Sequence, residues 1–67
     1  MRVYVNEEEQ VLDDGVHISE LLSGIQLKSQ KGIAVAINNT VIPRASWEDH
    51  ALQDNDQVMI IQASQGG

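Results

Sequence analysis

Apolar positions in this chain recur with two different periods, and the changes between them divide the sequence into elements. Arg2-Val3-Tyr4-Val5-Asn6 is short and β-branched, Asn6-Glu7-Glu8-Glu9 interrupts it, and Gln10-Val11-Leu12 resumes it. That pattern predicts an N-terminal hairpin. Ile18, Leu21, Leu22 and Ile25 then fall at i, i+3, i+4 and i+7, the spacing of one helical face, so a helix is expected over about residues 18–25. Its start is irregular, because His17 stands where a Ser or Thr cap is expected three residues before Glu20. Gly24 marks its weakening end.

After a polar connection from Lys28 to Gly32, Ile33-Ala34-Val35-Ala36-Ile37 alternates large and small, which puts Ile33, Val35 and Ile37 on the core side of a strand. Asn38-Asn39 suits a tight turn, since Asn tolerates positive φ, and Thr40-Val41-Ile42 returns as a short strand stopped at Pro43. A proline there argues for an edge position. Trp47, in so small a domain, reads as a lid on the core. Gln53-Asp54-Asn55-Asp56 is a turn feeding Gln57-Val58-Met59-Ile60-Ile61, a strand apolar on both faces. Such a strand is central with both sides covered, or has its second face covered by a partner. The expected order is hairpin, helix, two strands and a closing strand, one helix against a sheet, with a domain over residues 1–63 and a flexible tail over 64–67.

Composition narrows this further. At 67 residues the chain is one domain, of a size whose core supplies only roughly 3–5 kcal/mol without disulfides or metal. There is no Cys, which removes disulfides, thiolate zinc sites and a cysteine nucleophile together. The first fifteen residues hold Glu7, Glu8, Glu9, Asp13 and Asp14 and no apolar run, so a secretory signal is not expected, nor is any segment long enough to span a membrane. A cytoplasmic protein is the expectation. Ten acidic residues against four basic ones (Arg2, Lys28, Lys31, Arg44) give a net charge of -6. Such a surface repels phosphate backbones and disfavours nucleic acid, whereas a basic face on another protein would be attracted to it.

Candidate chemistry in the body of the chain is sparse. His17 and His50 lack a metal-binding spacing. Asp54-Asn55-Asp56 lacks the bidentate Glu of a calcium loop and reads as a turn. Glu48-Asp49 reads as a solvated face. The distinctive feature is Gly66-Gly67, directly after the last apolar stretch. Two residues without Cβ atoms can thread a narrow channel where any side chain would clash. A Gly67 carboxylate, with a reference pKa of about 3.3–3.7, is ionised at neutral pH and weakly electrophilic. It must be activated before it can accept a nucleophile, and no phosphate-binding G-x-x-x-x-G-K-[ST] loop is present to bring a nucleotide to it. Activation is therefore expected from another protein.

Ala34-Val35-Ala36-Ile37-Asn38, Val41-Ile42-Pro43-Arg44, Trp47, Leu52 and Asp54-Asn55-Asp56-Gln57-Val58 leading to Gly66-Gly67 together resemble the ThiS family of thiamin-biosynthesis sulfur carriers. Two positions depart from the family pattern: Asn55 stands for the usual Gly of the acidic turn, and His17 for a hydroxyl cap. The resemblance implies an α+β fold, the ubiquitin-like β-grasp, with a mixed sheet of four to five strands packed on one main helix. It also implies a carrier, not an enzyme, that binds no cofactor itself. An adenylyltransferase of the ubiquitin-activating type would use ATP to adenylate Gly67, a sulfur-transfer protein would convert it to a thiocarboxylate, and thiazole synthase would receive the sulfur. Gly66 would give the tail access, and Arg44, Val58 and Ile60 are candidates for partner docking. Two other readings stay open at this point: the small subunit of molybdopterin synthase, and a non-catalytic β-grasp interaction module.

Overall fold

The computed structural model describes residues 1–25 and 32–62. In it β1 (Arg2–Val5) and β2 (Glu8–Val11) are followed by α1 (Ile18–Gly24), β3 (Ile33–Ile37), β4 (Thr40–Ile42), a 3-10 turn at Arg44–Ser46 and β5 (Gln57–Gln62). The sheet order is β2-β1-β5-β3-β4. β1 runs parallel to β5 in the middle, and the other pairings are antiparallel. β5 is thus central in the sheet, with one apolar face on the core and the other, at Met59 and Ile61, exposed. β4 is an edge strand, as Pro43 requires.

Both tight turns are built on Asn. Asn38 and Asn39 have φ of 50° and 70°, the all-positive geometry that matches strand twist in a two-residue hairpin. The first hairpin turns in the same way at Asn6 and Glu7, with φ of 50° and 73°. β2 consequently begins at Glu8, two residues before the Gln10-Val11-Leu12 segment in which the sequence pattern places it. Holding Glu7 left-handed costs of order 1 kcal/mol, and Asn6 shows what offsets it. Its N–H donates to the Val58 carbonyl at 2.9 Å, and its Oδ1 accepts from the Ile60 N–H at 2.9 Å. The turn thereby extends the β1–β5 ladder.

A second polar clamp holds the start of β5 from its β3 side. Asn38 donates through Nδ2 to Asp56 at 3.0 Å and accepts the Gln57 N–H at 3.0 Å, while Asp56 also accepts the Gln53 N–H at 2.8 Å. Asp56 is buried, and these donors satisfy it. Asn55, in the place of the usual Gly, adopts φ 70°, and its N–H donates to the Arg2 carbonyl at 2.6 Å. Asn enters that region more readily than most residues, so the substitution keeps the turn.

One face of the sheet carries the core: Val3, Val5, Val35, Ile37 and Val58 meet Ile18, Leu21 and Leu22 of α1, closed by Trp47 and Leu52. At seven residues α1 is too short to persist alone. Its first N–H groups are taken up by a loop: Ile18 donates to the His50 carbonyl at 3.0 Å and Ser19 to the Trp47 carbonyl at 3.1 Å. His17 does serve as the cap residue. Its N–H donates to Glu20 Oε1 at 3.0 Å, and its Nδ1 lies 3.0 Å from the same oxygen. The backbone bond first, then the side-chain bond, hold the Glu20 carboxyl below its ordinary value. A depressed folded value means that this contribution to stability is present above the ordinary carboxylate range and is lost as pH falls through the lowered value. Glu20→Gln should therefore make the loss of helical circular dichroism on acidification shallower than in the parent chain; an unchanged acid limb would mean that the cap carries none of it.

Candidate functional site

Gly66 and Gly67 lie outside the described residues, as does the whole stretch 63–67, and the 64–67 tail with them. What the structure supplies is the strand that leads there. β5 lies between β1 and β3, and its last residue, Gln62, pairs with Ile33 at the start of β3.

Register decides which way each β5 side chain faces. Val58 lies opposite Ile37 on one side and Val5 on the other, both core residues. It is 3% exposed and offers no surface to a partner. Ile60, two residues on, shares that face and packs half-buried against the core. Val58 and Ile60, expected as docking residues, thus face the core, and the exposed apolar side of β5 is one residue away. Met59 and Ile61 point the other way and are 51% and 53% exposed. Across the sheet Met59 pairs with Ala36 and Ala36 with Val41, while Ile61 pairs with Ala34. Two alanines flanked by three larger side chains make a shallow, uncharged surface on the side of the sheet opposite α1. An exposed apolar cluster of this kind marks an interaction site more often than isolated apolar residues do.

Arg44 stands elsewhere. It opens the 3-10 turn after Pro43, with its guanidinium carbon 5.5 Å from the centre of the Trp47 ring. The turn faces α1, and Arg44 and Trp47 line a groove there with Ser19, Leu22 and Ser23. The structure therefore does not bring Arg44 together with Met59 and Ile61. Trp47 itself is buried, and its indole N–H donates to the Ile42 carbonyl at 2.9 Å, pinning the 3-10 turn to β4. It closes the core as the sequence predicts.

Sequence reasoning missed Met59, Ile61 and Val41. Residues 58–61 are all apolar, so a period of two fits either facing. The missing signal was the register with β3, whose core side, Ile33, Val35 and Ile37, is legible. Among the described residues, no group of three or more His, Asp or Glu side chains could hold a metal ion. No described helix is long and apolar enough to cross a membrane.

Comparison with known proteins agrees with this architecture. The ThiS family profile matches residues 1–67. The Escherichia coli (strain K12) protein named sulfur carrier protein ThiS is 34% identical over 67 residues, covering all of both chains. The crystal structure of thiamine biosynthesis protein ThiS from Geobacter metallireducens matches with a TM-score of 0.85 at 25% identity, again over all of both chains. The NMR solution structure of a thiamine biosynthesis protein from the same organism matches with a TM-score of 0.78 at 25% identity, over 100% of this chain and 88% of that one. The five-stranded mixed sheet on one helix is thus the α+β ubiquitin-like β-grasp. A profile matched from end to end and a full-length relative of this identity establish that the chain belongs to the ThiS family.

Proposed function

We propose that this chain, whose family makes it a sulfur carrier of thiamine biosynthesis, carries sulfur on the carboxylate of Gly67 and donates it to thiazole synthase. A carboxylate oxygen attacks the α-phosphorus of ATP held by an adenylyltransferase of the ubiquitin-activating type. Pyrophosphate leaves, and Gly67 becomes an acyl adenylate, a far better electrophile because AMP is a good leaving group. The terminal sulfur of a persulfide on a sulfur-transfer protein then attacks the acyl carbon and expels AMP. A second thiol attacks the donor protein's sulfur in the resulting acyl disulfide, which leaves a protein disulfide and the Gly67 thiocarboxylate. Sulfur transfer to the thiazole precursor returns the chain for another cycle. The protein is a cosubstrate throughout, its partners do the catalysis, and the cytoplasm is the compartment this reading places it in.

The observation that carries the reading is that the exposed apolar face lies on β5, the strand that runs toward Gly66-Gly67. A partner seated on Met59 and Ile61 would hold the chain within a few residues of the terminus it must capture, and tethering of that kind replaces an encounter between free molecules. Gly66, lacking a Cβ, lets the end enter a narrow channel. The direct test is the intact mass of the chain after incubation with ATP, an adenylating partner and a sulfur source. A gain equal to replacing one oxygen by sulfur supports the carrier chemistry; no gain, with the partner proven active on another substrate, rejects it.

Docking on the outer face has its own test. Met59→Glu/Ile61→Glu places two carboxylates where the apolar surface would be buried, and should lower adenylation at limiting carrier by about 10–100-fold. Because both side chains are half exposed, the unfolding midpoint should stay close to that of the parent. Full adenylation by this variant would move the docking site off the sheet.

A further inference from the structure

The sheet has a second unpartnered surface, on β2, that the carrier chemistry does not use. β2 is an edge strand whose outer side pairs with no other described strand. The Leu12 N–H donates to the Met1 carbonyl at 2.8 Å. By the alternation of an antiparallel ladder, Val3–Gln10 and Val5–Glu8 are then the hydrogen-bonded pairs, and the N–H and C=O groups of Glu9 and Val11 point away from β1. The Val11 side chain is 76% exposed. Between this edge and α1 runs a groove with Leu12, Val16, Leu21 and Ile25 along it and Asp13 and Glu20 at its rim.

Charge says what could lie there. Glu8, Glu9, Asp13 and Glu20 surround the groove and the edge. The described cations beside them are already paired: Arg2 lies 3.4 Å from Glu9, and the N-terminal ammonium lies 3.3 Å from Asp14. The opposite edge offers less, since β4 has three residues and ends at Pro43, which has no N–H to give.

We propose that the β2 edge and its groove receive an extended basic segment of a partner protein as a sixth strand. Its backbone would bond to Glu9 and Val11, its apolar side chains would alternate into the groove against Val16, Leu21 and Ile25, and its lysines or arginines would meet the surrounding carboxylates. Strand addition obtains affinity from backbone hydrogen bonds and specificity from alternate side chains, and this edge supplies both. A second copy of the chain is the wrong occupant, because it would bring an edge with the same carboxylates and the same net negative charge against this one. Net charge of -6 also steers the approach of a basic partner. This surface is separate from Met59 and Ile61, so one partner could hold the carrier by its edge while another works on its terminus.

The test is a titration of the isotopically labelled full chain with a short blocked peptide alternating lysine and valine, followed by amide NMR and hydrogen exchange. The expected result is shifts centred on Glu9, Val11, Leu21 and Ile25, slowed exchange of the Glu9 and Val11 amides, and binding that weakens with added salt. A matching peptide of alternating aspartate and valine should not bind. Val11→Pro removes an outward N–H and puts a ring in the strand's path, at a position where an edge strand tolerates proline, and should weaken binding by roughly tenfold or more. Glu9→Lys/Asp13→Lys provides a second readout, with preference shifting to the aspartate peptide. Shifts confined to Met59 and Ile61, equal binding by the two variants and the parent chain, or self-association through β2 in the absence of peptide would each overturn the proposal.

Discussion

Deletion of Gly67 is expected to abolish thiocarboxylate formation while leaving the unfolding midpoint where it was. Without Gly67 the chain would still end in a glycine carboxylate, chemically equivalent to the one removed, so the loss would come from reach. One residue of extended chain spans about 3.3–3.6 Å. A displacement of even 1 Å from the attacking geometry can cost on the order of a hundredfold in rate. A shortfall of a whole residue should therefore reduce adenylation by at least about a thousandfold, below detection in an intact-mass assay. Stability should not follow, because the buried set among the described residues runs from Val3 to Val58 and a terminal glycine has no side chain to bury. A truncated chain that is still charged with sulfur would show that the partner reads something other than the exact position of the end, and the carrier mechanism would need another acceptor. Gly66→Val is the companion variant: length is kept, a branched side chain is added, and a large fall in adenylation would point to the width of the channel.

The candidate site at Gly66-Gly67 comes from the sequence alone and lies outside the described residues, whereas the exposed apolar face of β5 was not legible in the sequence. Elements with a single possible facing were readable. The 18, 21, 22, 25 spacing gave α1, and the large–small alternation of Ile33 to Ile37 gave β3 and its core side. Asn38-Asn39 gave the second hairpin, because few residues other than Asn and Gly enter positive φ at low cost. The first hairpin was blurred for the same reason, since Glu7 does so against its own preference in a turn that the bonds from Asn6 to β5 help to hold. β5 was recognisable as a central strand, yet its facing depended on Val58 meeting Ile37 and Val5, contacts between residues far apart in sequence. Local pattern cannot supply that information when every candidate residue is apolar. Likewise His17 was read as an imperfect cap, and it is the loop carbonyls of Trp47 and His50 that complete the helix start.

Ile18→Ala should be the most damaging single substitution in the body of the chain. Ile18 is fully buried, at 0% exposed, and among the described residues is the largest of the side chains closed off completely from solvent. It is also the first residue of α1, where its N–H holds the helix to the His50 carbonyl. Truncation of a buried Ile to Ala costs about 2–5 kcal/mol, the transfer of the lost methyl groups plus the cavity they leave. A domain of this size has roughly 3–5 kcal/mol in total, so a loss near 3 kcal/mol would leave an appreciable unfolded fraction at room temperature. At about 4–8 °C per kcal/mol for small domains, the midpoint should fall by roughly 12–24 °C. Carrier activity would then decline in step with the folded fraction, recovering on cooling, whereas the Gly67 deletion would stay inactive at every temperature. Ile18→Val, which removes one methylene, should cost only about 1 kcal/mol and keep full activity. A midpoint shift for Ile18→Ala no larger than that of Ile18→Val would mean that α1 collapses into the space without penalty, and that the helix is held by its loop hydrogen bonds and not by its packing on the sheet.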